Sequence, residues 1–93
     1  MKIKDKFIIA DPKDNVATAR VDVDSGTVLT SDDGVEMTIN ERIPFGHKVA
    51  LEDVPEGEPI IKYGQRIGVA IVDISMGDLV HTENLAGERG RAA

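Results

Sequence analysis

The chain has 93 residues, 41% of them hydrophobic and 30% charged, which allows one small domain with a modest core. Its 11 basic and 17 acidic side chains leave a net charge of −6, and its aromatic residues are Phe7, Phe45 and Tyr63 alone, which argues against the basic face or stacking platform of a nucleic-acid binder. The lack of Cys excludes a disulfide framework, a thiolate nucleophile and a Cys-ligated metal, and with no apolar run near the roughly 18 residues of a membrane span and no signal peptide in Met1-Lys-Ile-Lys-Asp-Lys, a cytoplasmic protein that contacts no membrane is expected.

Val, Ile and Thr fill the structured stretches, and Gly and Pro interrupt them every 8 to 12 residues or so, the spacing of an all-β domain. In chain order, strands are predicted over 7–10, 16–21, 27–30, 35–39, 48–51, 59–63, 66–71 and 79–82. Helix is limited to short turns. Asp11-Pro12-Lys13-Asp14 suits one of them, with Asp as cap and Pro at the first position. Asp32-Asp33-Gly34 and Tyr63-Gly64-Gln65 predict tight turns between strands, because Gly supplies positive φ cheaply. The folded unit is expected over 1–85. The Gly/Arg/Ala-rich stretch 86–93 reads as a disordered tail.

The chain repeats itself. Ala19-Arg-Val-Asp22-Val-Asp-Ser-Gly26, Ala50-Leu-Glu-Asp53-Val-Pro-Glu-Gly57 and Ala70-Ile-Val-Asp73-Ile-Ser-Met-Gly77 share the pattern Ala-x-x-Asp-Φ-x-x-Gly, where Φ is aliphatic. The pattern predicts a strand, a wide turn and a second strand. The aliphatic residue anchors the turn in the core, and the Asp accepts N–H bonds within it. Asp22, Asp53 and Asp73 are therefore read as turn residues rather than catalytic acids. The copies are 31 and 20 residues apart, too uneven for a solenoid. No phosphate loop, nucleophile elbow or HExxH motif occurs, and Asp22, Asp24, Asp32 and Asp33 lack EF-hand spacing.

Three further motifs follow one another: Ile43-Pro44-Phe45-Gly46-His47-Lys48-Val49-Ala50-Leu51, then Ile61-Lys62-Tyr63-Gly64-Gln65-Arg66-Ile67-Gly68, then Gly77-Asp78-Leu79-Val80-His81-Thr82-Glu83-Asn84. In this order they resemble the N-terminal domain of the altronate/galactarate dehydratase family, over most of the chain from Asp11 to Leu85. The resemblance implies an SAF-type domain with the β-clip fold, a compact all-β unit of bent hairpins. In long members of the family this domain precedes a large lyase domain. A chain that stops soon after Leu85 therefore suggests the small subunit of a split enzyme, as in the similar sulfolactate sulfo-lyase, or a truncated form.

The chemistry implied by the family is β-elimination from a 2-hydroxy acid: of water from a sugar acid, or of sulfite from sulfolactate. Such a reaction needs a base for the proton beside the carboxylate, cations for the carboxylate, and an acid or divalent metal for the leaving group. Iron is the family expectation. The matching motifs nominate His47 as catalytic and Lys48, Lys62 and Tyr63 as substrate-binding. His81 and Glu83 follow the last repeat; on a strand, residues two apart share a face, and the two are nominated as metal ligands. Glu83 stands where the family has a second His, which changes the charge of that pair. Each nominee also has a plain reading: a backbone-bonded His, solvated lysines, a half-buried aromatic cap. The expected partners are a large catalytic lyase subunit and a small anionic substrate, with homo-oligomers compatible. A non-catalytic β-clip module that binds a sugar acid or supports assembly is the alternative. An autonomous enzyme is disfavoured, because so small a domain offers few walls to enclose a site.

Overall fold

A computed structural model describes residues 1–87. They form one four-residue helix, α1 (Ile3–Lys6), and short strands β1 (Phe7–Ile8), β2 (Val16–Ala19), β3 (Val28–Thr30), β4 (Glu36–Thr38), β5 (Lys48–Ala50), β6 (Pro59–Lys62), β7 (Gln65–Ala70), β8 (Leu79–Val80) and β9 (Leu85–Gly87). All strand pairing is antiparallel: a four-stranded sheet in the order β1-β2-β5-β8, the hairpin β3-β4, and the sheet β6-β7-β9. The expectation of an all-β domain with only short helical turns agrees with this architecture.

The four-stranded sheet is the middle layer, and this explains why its strands are apolar on both faces. Val16, Ala50 and Val80 point to one side, into a core shared with Ile60 and Ala70. Ala17, Ala19 and Val49 point to the other, into a core shared with Phe7, Leu29 and Met37. A residue between two cores has no solvent side, so the polar-apolar alternation of a half-buried strand is absent.

The repeat is a tandem duplication with an offset of 31 residues, the separation of Asp22 from Asp53. The central strand pairing of the first copy recurs in the second. Ala17 pairs with Val49, and Lys48 with Val80. Ala19 N–H donates to His47 O at 2.8 Å, and Ala50 N–H to Asp78 O at 3.0 Å.

Four wide turns, not three, build the molecule. The fourth, Arg42-Ile43-Pro44-Phe45-Gly46, escaped the pattern because Arg replaces Asp and Ile39 replaces Ala. With it the spacing becomes regular, at 20, 11 and 20 residues. The turns interlock in two pairs, through antiparallel bridges between Val23 and Ile43 and between Val54 and Ile74. These four anchors are 2% exposed or less, each contributing about 2 kcal/mol by burial. The glycines closing the turns have φ between 84° and 93°, the type II geometry that a side chain would strain.

The Asp residues work across the pairs rather than within their own turns. Asp22 accepts the Phe45 N–H (2.8 Å), Asp53 that of Met76 (2.9 Å) and Asp73 that of Glu56 (2.9 Å). The turn-structural reading stands, with the partner corrected.

Several boundaries differ from expectation. The helical turn lies at Ile3–Lys6. Asp11–Asp14 instead folds as a hydrogen-bonded turn, in which Asp11 accepts the Lys13 N–H at 2.8 Å. Tyr63 and Gly64 both take positive φ (57° and 70°), a type I′ hairpin turn as predicted at this place. Asp32-Asp33-Gly34 also makes its predicted turn. Ala86 and Gly87 do not belong to a tail: they lie in β9, paired to β7, so the folded unit passes the expected boundary at Leu85. The approach needs Gly68, where a Cβ would sit 2.5 Å from Ala86 O. The remainder of the expected tail, 88–93, lies outside the described residues.

Candidate functional site

His47 follows the glycine of the fourth turn and enters β5. Its N–H donates to Pro44 O at 3.0 Å, and its Nδ1 lies 3.4 Å from Phe45 O. A carbonyl can only accept, so a hydrogen bond there requires Nδ1–H and leaves Nε2 with its lone pair outward. The Phe45 peptide is itself held by Asp22, whose other carboxylate oxygen pairs with Arg42 at 2.9 Å. The Phe45 N–H bond, with Arg42 beside it, holds the Asp22 carboxyl below its ordinary range. The Phe45 ring is 69% exposed next to His47.

His81 lies just past β8. The strand face expected to join His81 to Glu83 is absent, because β8 ends at Val80. The chain then turns: Asn84 and Leu85 both donate N–H groups to His81 O, at 3.0 and 2.9 Å. His81, Thr82 and Glu83 are exposed on this turn, so the shared-face argument for a His81–Glu83 ligand pair does not apply. His81 meets His47 instead, with ring centroids 5.2 Å apart and planes tilted by 35°. His81 Nδ1 lies 3.2 Å from the Thr82 hydroxyl.

Lys48 is half-buried on β5, between Thr18 and Val80. It stands on the same sheet face as Ala50, the face covered by β6 and β7. Lys62 and Tyr63 form a second group. The Lys62 stem is buried, and its Nζ sits 4.0 Å from the centroid of the Tyr63 ring. Tyr63 is 67% exposed. The hairpin tip is latched by Asp14, a buried carboxylate that accepts the N–H groups of Tyr63 (3.0 Å), Gly64 (2.8 Å) and Asp11 (3.1 Å). Asn15 ties the same region together, accepting the Ile61 N–H at 2.7 Å and donating to Pro59 O at 2.9 Å.

The structure thus brings His47 to His81 and Lys62 to Tyr63. The backbones of the two pairs are anchored at opposite ends of β2, to Ala19 and to Asp14. Among the described residues no hydrogen bond, ion pair or ring contact joins them. Asp14, Asn15, Asp22 and Asn84 were not nominated from sequence as site supports. Their signal, a short polar side chain beside a turn, is shared by most surface loops.

Among the described residues, two surface hollows of about 180 and 300 Å³ are lined by acidic groups rather than by the nominated residues: Glu52, Asp53 and Glu58 in one, Asp53 and Asp73 in the other. Such walls repel an anionic substrate. Among the described residues no three His, Cys, Asp or Glu side chains gather to hold a metal ion. Also among the described residues, no helix is long and apolar enough to cross a membrane.

A three-layered all-β domain with interlocked turns and an open imidazole pair defines the class. Residues 5–88 match the altronate/galactarate dehydratase SAF domain, and the chain belongs to that family. It is 42% identical over 71 residues to an altronate dehydratase of Escherichia coli (strain K12), covering 76% of this chain and 14% of that enzyme. To the galactarate dehydratase (L-threo-forming) of the same organism it is 36% identical over 67 residues, 63% of this chain and 13% of the enzyme. To the (2R)-sulfolactate sulfo-lyase subunit alpha of Chromohalobacter salexigens it is 34% identical over 89 residues, 89% of this chain and 95% of that subunit. The chain therefore spans a small fraction of the dehydratases it matches and nearly the whole of the sulfo-lyase subunit.

Proposed function

We propose that this chain is the small subunit of a two-part cytoplasmic lyase that removes water from a sugar acid of the altronate or galactarate type, and that it is inactive alone. The observation that carries the reading is the openness of the His47–His81 pair: two imidazoles side by side, His81 exposed and His47 half-buried. A small substrate needs most of its surface enclosed, so a large subunit must supply the remaining walls. Family membership supports the reaction class. A second reading, the small subunit of a sulfolactate sulfo-lyase, is favoured by the 95% coverage of such a subunit. Both eliminate a β-leaving group from a 2-hydroxy acid.

In this reading His47 moves a proton at Nε2, its Nδ1 being turned to Phe45 O. Lys48 neutralises the substrate carboxylate. Lys62 and Tyr63 hold its more distant oxygens if the substrate is long enough to span the two groups. A divalent metal, iron by family expectation, supplies Lewis-acid chemistry when bound. His81 would help hold it from this chain, with the other ligands supplied by the large subunit.

The test is recovery of the tagged chain from its native cells, identification of any co-purifying subunit, and assay of the complex with altronate, galactarate and (2R)-sulfolactate. A lyase-like partner and turnover of a sugar acid are expected. Turnover of sulfolactate alone selects the second reading. Recovery without a partner, or a complex inert on all three acids, overturns the lyase reading in favour of a binding or assembly module.

A further inference from the structure

We infer that Asn84 is a positioning residue for His81: its side-chain amide stands in for the strand the repeat lacks, and so holds the two imidazoles side by side. The duplication supplies the reasoning. Positions 19, 50 and 81 are equivalent, each 31 residues from the last. At the first two, the next strand and the next turn satisfy the backbone. Ala19 N–H donates to His47 O and Ala50 N–H to Asp78 O, while Ala19 O accepts the Gly46 N–H and Ala50 O the Gly77 N–H. Both Ala side chains are buried.

At position 81 the described chain adds no further strand to this sheet, β9 being paired to β7. Asn84 takes its place group by group. Its Oδ1 accepts the His81 N–H at 2.9 Å, and its Nδ2 donates to Leu79 O at 2.7 Å. Its own N–H, with that of Leu85, caps His81 O. An amide side chain carries the same donor and acceptor as a peptide group, which makes this mimicry exact in kind. On the same edge, Leu79 N–H meets Glu41 Oε2 at 3.3 Å. The outer edge of β8 is thereby closed to strand addition, yet the side chain at 81 is exposed. The position that is a buried Ala twice becomes an exposed His beside His47.

The geometry stands without the lyase reading; its catalytic meaning rests on it. The test is therefore made on the chain alone. The readout is the contact between the two rings, whose centroids lie 5.2 Å apart. By NMR at one fixed pH, nuclear Overhauser contacts between the ring protons of His47 and His81 are expected in the wild type. Asn84→Ala is expected to lose most of their intensity while keeping His81, because the ring leaves its place. A folded Asn84→Ala protein with the wild-type ring contacts overturns the proposal. If Asn84→Ala does not fold, Asn84→Asp keeps the acceptor for the His81 N–H and is expected to give an intermediate loss; no loss overturns it. In the wild type the His81 amide is expected to exchange at least tenfold slower than an unstructured amide, and free exchange equally overturns it.

Discussion

The two pairs of interlocked turns share one plan and differ in their latches. Where Val54 meets Ile74, both turns carry an Asp that reaches across to the partner backbone. Where Val23 meets Ile43, only Asp22 does so, and Arg42 occupies the other place. The pairs nonetheless close alike: the reciprocal bridge bonds are 2.9 and 2.8 Å in the first pair and 2.8 and 2.9 Å in the second. The aliphatic anchor and the glycine therefore make the turn, and the Asp is an addition the scaffold can do without. The turn freed of its Asp is the one that carries His47. The third equivalent of Ala19 and Ala50, freed of its covering turn, is His81. The candidate site lies where the repeat is broken.

The sharpest way to break the comparison is at glycine. Gly57 and Gly77 share their positive φ, but a Cβ at Gly57 enters open space whereas one at Gly77 would lie 2.0 Å from Thr38 O. Gly77→Ala is expected to cost about 4 kcal/mol or more, enough to unfold much of a domain this small, and Gly57→Ala only about 1–2 kcal/mol. Chemical denaturation separates them, and equal losses would remove the packing argument. Asp14 tests a latch with no counterpart in the second copy. Asp14→Ala leaves the Tyr63 and Gly64 N–H groups without their acceptor and is expected to cost about 2–3 kcal/mol.

Acid probes the lone latch of the first pair. The Asp22 carboxyl is held low in the folded state, so its contribution is fully present above the unfolded value near 3.8 and is lost as pH falls through the folded value. Asp22→Asn is expected to flatten the fall of stability below about pH 4 and to leave the neutral-pH slope unchanged. The smallest effect is expected from Arg42→Asp. It restores the repeat but gives up an exposed ion pair, for a net change within about 0.5 kcal/mol. A loss several times larger would make the Arg42–Asp22 pair essential to the turn.

Much of the fold was legible because Val, Ile and Thr segments and Asp-Gly or Tyr-Gly turns are local signals. The parts that were not legible depended on distant partners. β9 is a bare Leu-Ala-Gly whose strand character comes from pairing with β7 across Gly68. The fourth turn hid behind Arg42, since the conspicuous Asp was a less essential feature than the Gly. His81 to Glu83 looked like strand because Val-His-Thr suits one, and the Asn84 side chain together with the turn closed on His81 O ends it. His47 was nominated by its motif; its closeness to His81 arises from the pairing of β5 with β8 and has no local signature.

The central claim is that function sits on the broken positions while their intact equivalents are scaffold. The most direct test is kcat of the assembled enzyme for His47→Ala beside Glu58→Ala, because His47 and Glu58 each follow the glycine of their turn. The account predicts a loss of at least about a hundredfold for His47→Ala with an unchanged melting temperature, and near wild-type turnover for Glu58→Ala. Equal turnover in the two variants would contradict it and leave the histidine pair as part of the scaffold.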